Sequence, residues 1–223
     1  MSHLKRIAIV TTGCDHLDAA HPTGLWFEEF ALPYQTWRET GHSLTVASPQ
    51  GGSIPIDPRS EPSLDGNAQS QAARAALRAS APVASIRAAD FDALFVPGGH
   101  GAMCDLPQNP ELGRLIADFA AQEKVIAAIC HGPAALIGAH LPDGTPLVRG
   151  RTLTAFTNEE ERATELEHLL PFLLETRLRA LGARFVTRPA WSEHIEQDGR
   201  LITGQNPQSS RLIAEAVAAA LRE

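Results

Sequence analysis

One cysteine of this chain stands in a setting that is typical of a catalytic nucleophile. The apolar segment 125–129 leads straight into Cys130, and Pro133 is placed to begin a helix three residues later. A nucleophile on so tight a turn has strained backbone angles. The residues two before and two after it must be small, and here they are Ala128 and Gly132. A helix N-terminus beside the thiol would favour the thiolate. The sequence therefore predicts an enzyme with Cys130 as its nucleophile.

A thiol nucleophile needs a base, and His131 follows Cys130 directly. Neighbouring side chains on a turn can converge or diverge, so adjacency alone leaves their contact open. Cys14 and Cys104 lack a comparable setting, and we interpret them as structural thiols. The three cysteines are too widely spaced for a disulfide framework or a zinc cluster, and the nine histidines show no clear metal-ligand spacing. We expect no metal site.

A second segment that bears on the chemistry is the glycine-rich stretch 97–101, which follows the strand-like run 93–96. Glycine lets backbone N–H groups approach a ligand closely. An N–H group of Gly99 or His100 is therefore a candidate for binding an oxyanion or the substrate; a simple tight turn is the alternative. The spacing G-x-G-x-x-G is absent, which argues against a dinucleotide, and we expect no cofactor.

The third segment is a helix candidate at 25–40 that carries two adjacent glutamates, Glu28 and Glu29. They share a helical stripe with Leu25 and Leu32. A carboxylate on an otherwise apolar face is costly to ionise, so it is a candidate for a raised pKa. One of the two would then be an ordinary solvated charge.

These segments need a scaffold that brings them together. Apolar runs predict strands at 6–12, 43–48, 93–96, 124–129, 152–156, 184–187 and 200–203. Helix candidates lie between them at 25–40, 68–79, 110–122, 133–139, 158–168, 171–181 and 207–221. This alternation predicts an α/β fold, a doubly wound and mostly parallel sheet flanked by helices, in a single domain over 1–223. Cys130 then falls at the carboxyl end of a strand, where ligands gather in such sheets. The segment 48–62, rich in Gly, Pro and Ser, predicts a long surface connection of the kind that often covers a site or an interface.

Composition excludes several classes of function. The formal net charge is -7 without any Lys/Arg block, which argues against nucleic-acid binding because that relies on clustered cations. No apolar run approaches the roughly 18 to 20 residues of a membrane span. The first residues run directly into a strand without a secretory signal. We therefore expect a cytoplasmic protein with no nucleic-acid or membrane partner.

The three segments together resemble the ThiJ/PfpI superfamily, which has the class I glutamine-amidotransferase-like fold. The closer likeness is to its heat-shock chaperone and glutathione-independent glyoxalase branch, and it runs over nearly the whole chain. The motifs that carry it are Thr23-Gly24, Glu29, Pro33-Tyr34, Ala47-Ser48-Pro49, Gly51-Gly52, 97–101, 128–133, 154–161, 171–174 and 198–207.

The resemblance implies a role for each matching site residue. Cys130 corresponds to the family nucleophile and His131 to the histidine of its triad. Glu29, four residues before Pro33, matches the acid that contacts the nucleophile. The third triad member should be an acid after the Thr-x-Phe-Thr segment, where the register favours Glu161 and leaves Glu160 as a close rival.

What the resemblance implies chemically is a conversion of methylglyoxal to D-lactate without cofactor, through a hemithioacetal on Cys130. The partner would be a small-molecule aldehyde, and the resemblance also suggests a homodimer. The alternatives are a cysteine peptidase or amidase and a protein deglycase. A non-enzymatic alternative is a stress-response holdase chaperone or a redox sensor that uses the same cysteine.

Overall fold

The computed structural model describes residues 4–60 and 68–222. Seven strands form the main sheet in the order β10-β11-β7-β6-β1-β4-β5. Their bounds are β1 Arg6–Val10, β4 Ser43–Ser48, β5 Ala81–Pro82, β6 Ala93–Val96, β7 Val125–Ile129, β10 Ile195–Asp198 and β11 Leu201–Gly204. All neighbours are parallel except β10, which pairs antiparallel with β11.

Helices cover both faces of this sheet. They are α1 Phe27–Glu39, α2 Ala68–Ala76, α3 Ala102–Asp105, α4 Pro110–Ala121, α5 Asn158–Thr164, α6 Leu174–Ala180 and α7 Ser210–Ala220. Short 3-10 helices lie at Val83–Ser85, Ala88–Asp90, Gly132–Gly138, Glu167–Leu169 and Pro207–Ser209. The prediction of an α/β fold with a mostly parallel sheet between helices is confirmed.

The sheet divides the apolar core into two clusters, one on each face. β7 is buried at all five positions, and alternate residues serve opposite sides: Ile126 belongs to one cluster and Ala127 to the other. This explains why the strand reads as a continuous apolar run. On the α1 side, the indole of Trp37 packs edge-on against Phe95 at 5.1 Å between ring centroids. The two clusters fix α1 and the ends of β6 and β7, which carry the predicted site residues.

Three predicted elements differ in the structure. The strands expected at 152–156 and 184–187 shorten to β8 Thr152–Leu153 and β9 Arg184–Phe185, which pair with each other outside the main sheet. The reason is that β10 folds back on β11 and occupies that edge. The helix expected at 133–139 is a 3-10 helix, Gly132–Gly138.

Other short elements were not predicted. They include β5, β10, the helix α3, and a small hairpin of β2 His16–Asp18 and β3 His21–Pro22. Of the predicted connection 48–62, the residues up to 60 are described. They are held by isolated bridges between Leu25 and Ile56 and between Gly52 and Ser80; residues 61 and 62 lie outside the described part. Within the described ranges, no helix is long and apolar enough to cross a membrane.

Candidate active site

The turn between β7 and the following 3-10 helix holds Cys130 in a conformation that few non-glycine residues adopt. Its φ is +59°, in the left-handed region. The backbone is fixed from two sides, because Cys130 N–H donates to the carbonyl of Gly204 and its own carbonyl accepts from Phe156 N–H, each at 2.9 Å. A Cβ atom on Gly132 would overlap the carbonyl oxygen of Val96. The steric requirement for a small residue two positions after the cysteine therefore comes from β6.

His131 joins the thiol to a buried carboxylate. Its Nδ1 lies 3.3 Å from Cys130 Sγ, and its Nε2 lies 2.7 Å from Oε2 of Glu161. With Glu161 ionised, Nε2 carries the proton, and Nδ1 is left to accept the proton of the thiol. Burial alone would raise the pKa of Glu161, but His131 and His100 outweigh it and hold that pKa well below its ordinary value.

The structure separates the two rival glutamates. Glu160 turns away from His131 and caps α5, where its Oε2 accepts from Thr157 N–H at 2.9 Å. Its Oε1 accepts from Trp191 N–H and from the side-chain amides of Gln205 and Asn206 at 2.8 to 3.1 Å. Glu160 thus ties together three segments, while Glu161 alone of the pair reaches His131.

Glu29 approaches the site from α1 and is fully buried. Its Oε2 accepts from Gly98 N–H at 2.7 Å, while its Oε1 has no hydrogen-bond partner among the described residues. Burial raises the pKa of Glu29 to about 8, although the nearby Cys130 and Gly98 oppose the rise. Its neighbour Glu28 is only half-buried. A buried carboxylic acid beside the thiol is a group that can deliver a proton at neutral pH and then act as a base.

The pKa of the Cys130 thiol is shifted in the direction opposite to the one that the sequence predicted. A helix N-terminus beside the thiol was expected to favour the thiolate. Burial raises the pKa of Cys130 well above its ordinary value, and the Glu29 carboxylate raises it further. A hydrogen bond from the backbone of Gly99 acts in the opposite direction. Because Cys130 is 3% exposed and the helix that follows is a short 3-10 helix, burial dominates. When Glu29 is protonated it carries no negative charge, so it no longer raises the pKa of Cys130 in this way.

His100 was predicted to bind an oxyanion or the substrate through its backbone N–H group, and the contact of its side chain with Glu161 was not predicted. Its Nε2 lies 2.7 Å from Oε1 of Glu161, so this carboxylate is shared by two imidazoles. Its Nδ1 lies 3.2 Å from Nη2 of Arg59. Burial, followed by the charge of His131, lowers the pKa of His100 to about 4, so the ring is neutral at physiological pH. With Nε2–H donating to Glu161 and Nδ1 accepting from Arg59, both ring nitrogens are engaged.

A cavity of about 240 Å³ opens onto the thiol. Its polar lining includes Cys130, His131, His100, Arg59 and Thr164, and its apolar walls include Trp26, Phe156 and Trp191. The ring of Phe156 lies 4.4 Å from that of His131 and 5.6 Å from that of Trp191, between centroids. Sequence reasoning missed Arg59 and these aromatic walls. The only signal for Arg59 was its place in the connection 48–62, which was predicted to cover a site.

His100, His131 and Glu161 also form a cluster that a divalent metal could use. Their ligand atoms lie within 4.8 Å of one another, and two imidazoles with one carboxylate are a common donor set. In the structure each of the two imidazoles hydrogen-bonds to the Glu161 carboxylate. Their spacing in the chain, at 31 and 30 residues, hides the cluster from a search for metal motifs.

The fold and the site define an α/β protein with a buried cysteine on a strand–helix elbow, a histidine and glutamate behind it, and a second glutamate beside it. Residues 27–220 match the model of the DJ-1/PfpI family. The chain belongs to this family, as the sequence resemblance predicted.

Three relatives are informative. A glutathione-independent glyoxalase of Schizosaccharomyces pombe is 33% identical over 209 residues, which is 87% of this chain and 86% of the relative. The crystal structure of glyoxalase III from Candida albicans is 26% identical, with a TM-score of 0.86 and coverage of 99% of this chain and 98% of that one. The Rapid Encystment Protein 24 kDa of Francisella tularensis is 32% identical, with a TM-score of 0.92 and coverage of 98% and 99%.

Proposed function

We propose that this protein is a cofactor-independent glyoxalase that converts methylglyoxal and water to D-lactate, with Cys130, His131, Glu161 and Glu29 as its catalytic residues. The observation that carries the proposal is a triad-bound thiol that lines a small cavity and has the buried carboxylic acid of Glu29 beside it. The similarity to a glutathione-independent glyoxalase of S. pombe and to glyoxalase III of C. albicans supports it. About 240 Å³ lies below the roughly 300 to 1,000 Å³ of drug-sized pockets, which suits a three-carbon substrate.

The first step joins the thiol to the aldehyde carbon. His131 Nδ1 takes the thiol proton while sulfur attacks, and the electron pair of the C=O bond moves to the aldehyde oxygen. Glu29, protonated at neutral pH, can deliver its proton to that oxygen. The product is a hemithioacetal on Cys130, and Glu29 is left as a carboxylate whose raised pKa makes it a stronger base than an ordinary glutamate.

The second step moves hydrogen between the two carbons. The Glu29 carboxylate takes the proton from the former aldehyde carbon and returns it to the neighbouring carbon, which converts the hemithioacetal into a thioester of lactate. The hydroxyl of the first carbon then gives its proton to Glu29, and the former ketone oxygen takes the proton held by His131, which leaves Glu29 protonated and His131 neutral. His131, oriented by Glu161, next takes a proton from the water that attacks the thioester carbon and returns it to the sulfur of Cys130 as lactate leaves. The backbone N–H groups of Gly99 and His131 would hold the oxyanion, and the contact of Gly99 with the thiol supports this role.

The direct test measures D-lactate formed from methylglyoxal without glutathione or added metal. Wild type should be active and Cys130→Ala inactive, while Cys14→Ala, a cysteine outside the cavity, serves as the matched control and should keep its activity. Wild-type turnover by Cys130→Ala would overturn the nucleophile assignment. Absence of D-lactate from wild type would overturn the glyoxalase proposal.

A homodimer is a further proposal that comes from the resemblance, and a cytoplasmic location is one that keeps the expectation from the sequence. Sedimentation velocity of the purified chain tests the first, with the chain mass of 23.9 kDa as the monomer reference. Fractionation of cells that produce the protein tests the second.

A further inference from the structure

Arg59 is a charged side chain on the wall of the cavity that holds Cys130, and the mechanism above does not use it. Asp57, which is fully buried, holds it by two hydrogen bonds: Nε to Oδ1 at 2.9 Å and Nη2 to Oδ2 at 2.5 Å. Thr23 Oγ1 donates to the same carboxylate at 3.0 Å. A planar guanidinium held in this fork has a fixed orientation, so it is preorganised before any substrate arrives.

The hydrogen bonds of Arg59 leave one nitrogen available. Nε and Nη2 donate to Asp57, and Nη2 also lies 3.2 Å from His100 Nδ1. Nη1 donates to no acceptor among residues 4–60 and 68–222, and the Arg59 side chain is 40% exposed. His100 cannot take its place, because both of its ring nitrogens are engaged. Of these two cavity side chains, Arg59 is therefore the one that retains N–H groups for a substrate.

The charge balance indicates what this donor would bind. Asp57 already compensates the positive charge of Arg59, and the ionised Glu161 stands on the other side of His100. A carboxylate ligand would meet no net positive charge here. A neutral carbonyl oxygen that gains negative charge only during the reaction fits better, because a fixed donor then strengthens its hydrogen bond as the charge develops.

The proposed reaction creates such an oxygen. When Glu29 removes the proton from the hemithioacetal carbon, the C–H electron pair becomes a carbon–carbon double bond, and the electron pair of the adjacent ketone moves onto its oxygen. Return of the proton to the second carbon uses the double-bond pair. The first oxygen then loses its proton and forms the thioester carbonyl, while the second oxygen takes up a proton. The enediolate between these steps carries its charge on the former ketone oxygen.

We infer that Arg59 Nη1 binds the ketone oxygen of a neutral 1,2-dicarbonyl substrate and stabilises the enediolate formed from it. This inference rests on the proposed function. It makes Arg59 a catalytic residue and a determinant of specificity, since simple aldehydes such as propanal can add to Cys130 but offer no second oxygen to Arg59.

The test compares wild type with Arg59→Met. This variant leaves the buried Asp57 carboxylate without the guanidinium that balances its charge. A second variant therefore combines Asp57→Asn with Arg59→Met and removes both charges. Arg179→Met is the matched control, since Arg179 is also paired with a carboxylate, Glu175 at 2.9 Å, but lies on α6 outside the cavity. Circular dichroism establishes that each variant is folded.

Two readouts separate a role on the substrate from a merely structural one. For methylglyoxal, kcat of both Arg59 variants should fall on the order of 10² to 10³-fold, as when one oxyanion donor is removed. Deuterium on the aldehyde carbon should lower kcat of these variants by a larger factor than it lowers kcat of wild type. The affinity for propanal, measured as reversible loss of Cys130 labelling, should change less than threefold. The control should match wild type in both.

The outcomes separate the inference from the function beneath it. If wild type makes D-lactate and the double variant is within threefold of it, the inference is wrong and the glyoxalase proposal stands. Equal losses of propanal and methylglyoxal binding would also overturn it, because Arg59 would then only shape the cavity. If wild type makes no D-lactate, both fall.

Discussion

Glu29→Gln isolates the consequence of burying a carboxylic acid beside the nucleophile. The amide has nearly the same shape, and its oxygen can still accept from Gly98 N–H, but it cannot ionise. The proton transfer between the two substrate carbons should therefore stop, while the cysteine adduct still forms because the proton that His131 takes from the thiol can go to the adduct oxygen. The same substitution also removes a titration from the folding equilibrium, and that effect can be worked out from the structure.

Burial raises the pKa of Glu29 from 4.5 to about 8. The folded chain binds this proton more tightly than the unfolded chain, so between these two pKa values each rise in pH favours the unfolded state, and the wild type is least stable above both values. Its stability falls as pH rises from about 4.5 to about 8 and then levels off. With about 1.36 kcal/mol for each unit of pKa, the two values give a loss of about 3 kcal/mol between pH 6 and pH 9. Glu29→Gln lacks this loss.

The assay is urea unfolding of both proteins at intervals from pH 6 to pH 9. The free energy of unfolding of Glu29→Gln relative to wild type should rise by about 3 kcal/mol over this range. Glu28→Gln on the same helix is the control; because Glu28 keeps contact with water, its change should be smaller. Parallel curves for wild type and Glu29→Gln would refute the reasoning, since Glu29 would then ionise in the folded chain as it does in the unfolded one.

Three further predictions follow from contacts in the site. Glu161→Gln should lower kcat for methylglyoxal by at least about 100-fold, and it should also destabilise the chain, because the depressed pKa of Glu161 shows that the folded state favours its ionised form. Glu160→Gln should lower the unfolding free energy by about 2 kcal/mol and keep most of the activity. D-lactate assays in which Glu160→Gln is inactive and Glu161→Gln active would exchange their roles. Gly132→Ala should destabilise the chain by more than about 3 kcal/mol, measured by urea unfolding, because its methyl group would overlap the Val96 carbonyl; a stable variant would show that the turn can shift. Burial and Cys14 raise the pKa of Cys104 to about 12. Iodoacetamide at pH 8 should therefore label Cys104 in the folded protein at least about 100 times more slowly than free cysteine. Peptide mass spectrometry measures the labelling rates, and equal rates would contradict this prediction.

The sequence contained the parts of the fold whose causes are local. An apolar run between a charged segment and a Gly-Pro turn specified β7 and the elbow of Cys130, and the helical period placed a glutamate on the apolar face of α1. Which of two adjacent glutamates is buried, Glu28 or Glu29, depends on how α1 rotates against the sheet. Both lie near the same stripe, so periodicity could not separate them.

The pairing of distant segments was beyond the sequence. β8 and β9 have strand-like composition, but the edge they would join is occupied by β10, and only the full topology shows this. In the same way, Glu160 and Glu161 differ by one position on α5. That one position turns Glu160 toward the amides of Gln205 and Asn206 and Glu161 toward the two histidines.

The pKa of the nucleophile illustrates the same division. The turn and the following helix, read from the sequence, favour a thiolate, but burial and Glu29 decide the direction and raise the pKa of Cys130.

The sequence by itself determined that Cys130 sits on a strained turn, because that requirement is met by residues within three positions of it. Only the tertiary structure decided what surrounds the thiol. Glu29, His100, Glu161 and Arg59 come from four separate segments, and their contacts depend on strand order and on the path of a connection without periodic pattern. Local interactions act over a few residues of chain, whereas the electrostatics of a buried site depend on every charge that folding brings near it.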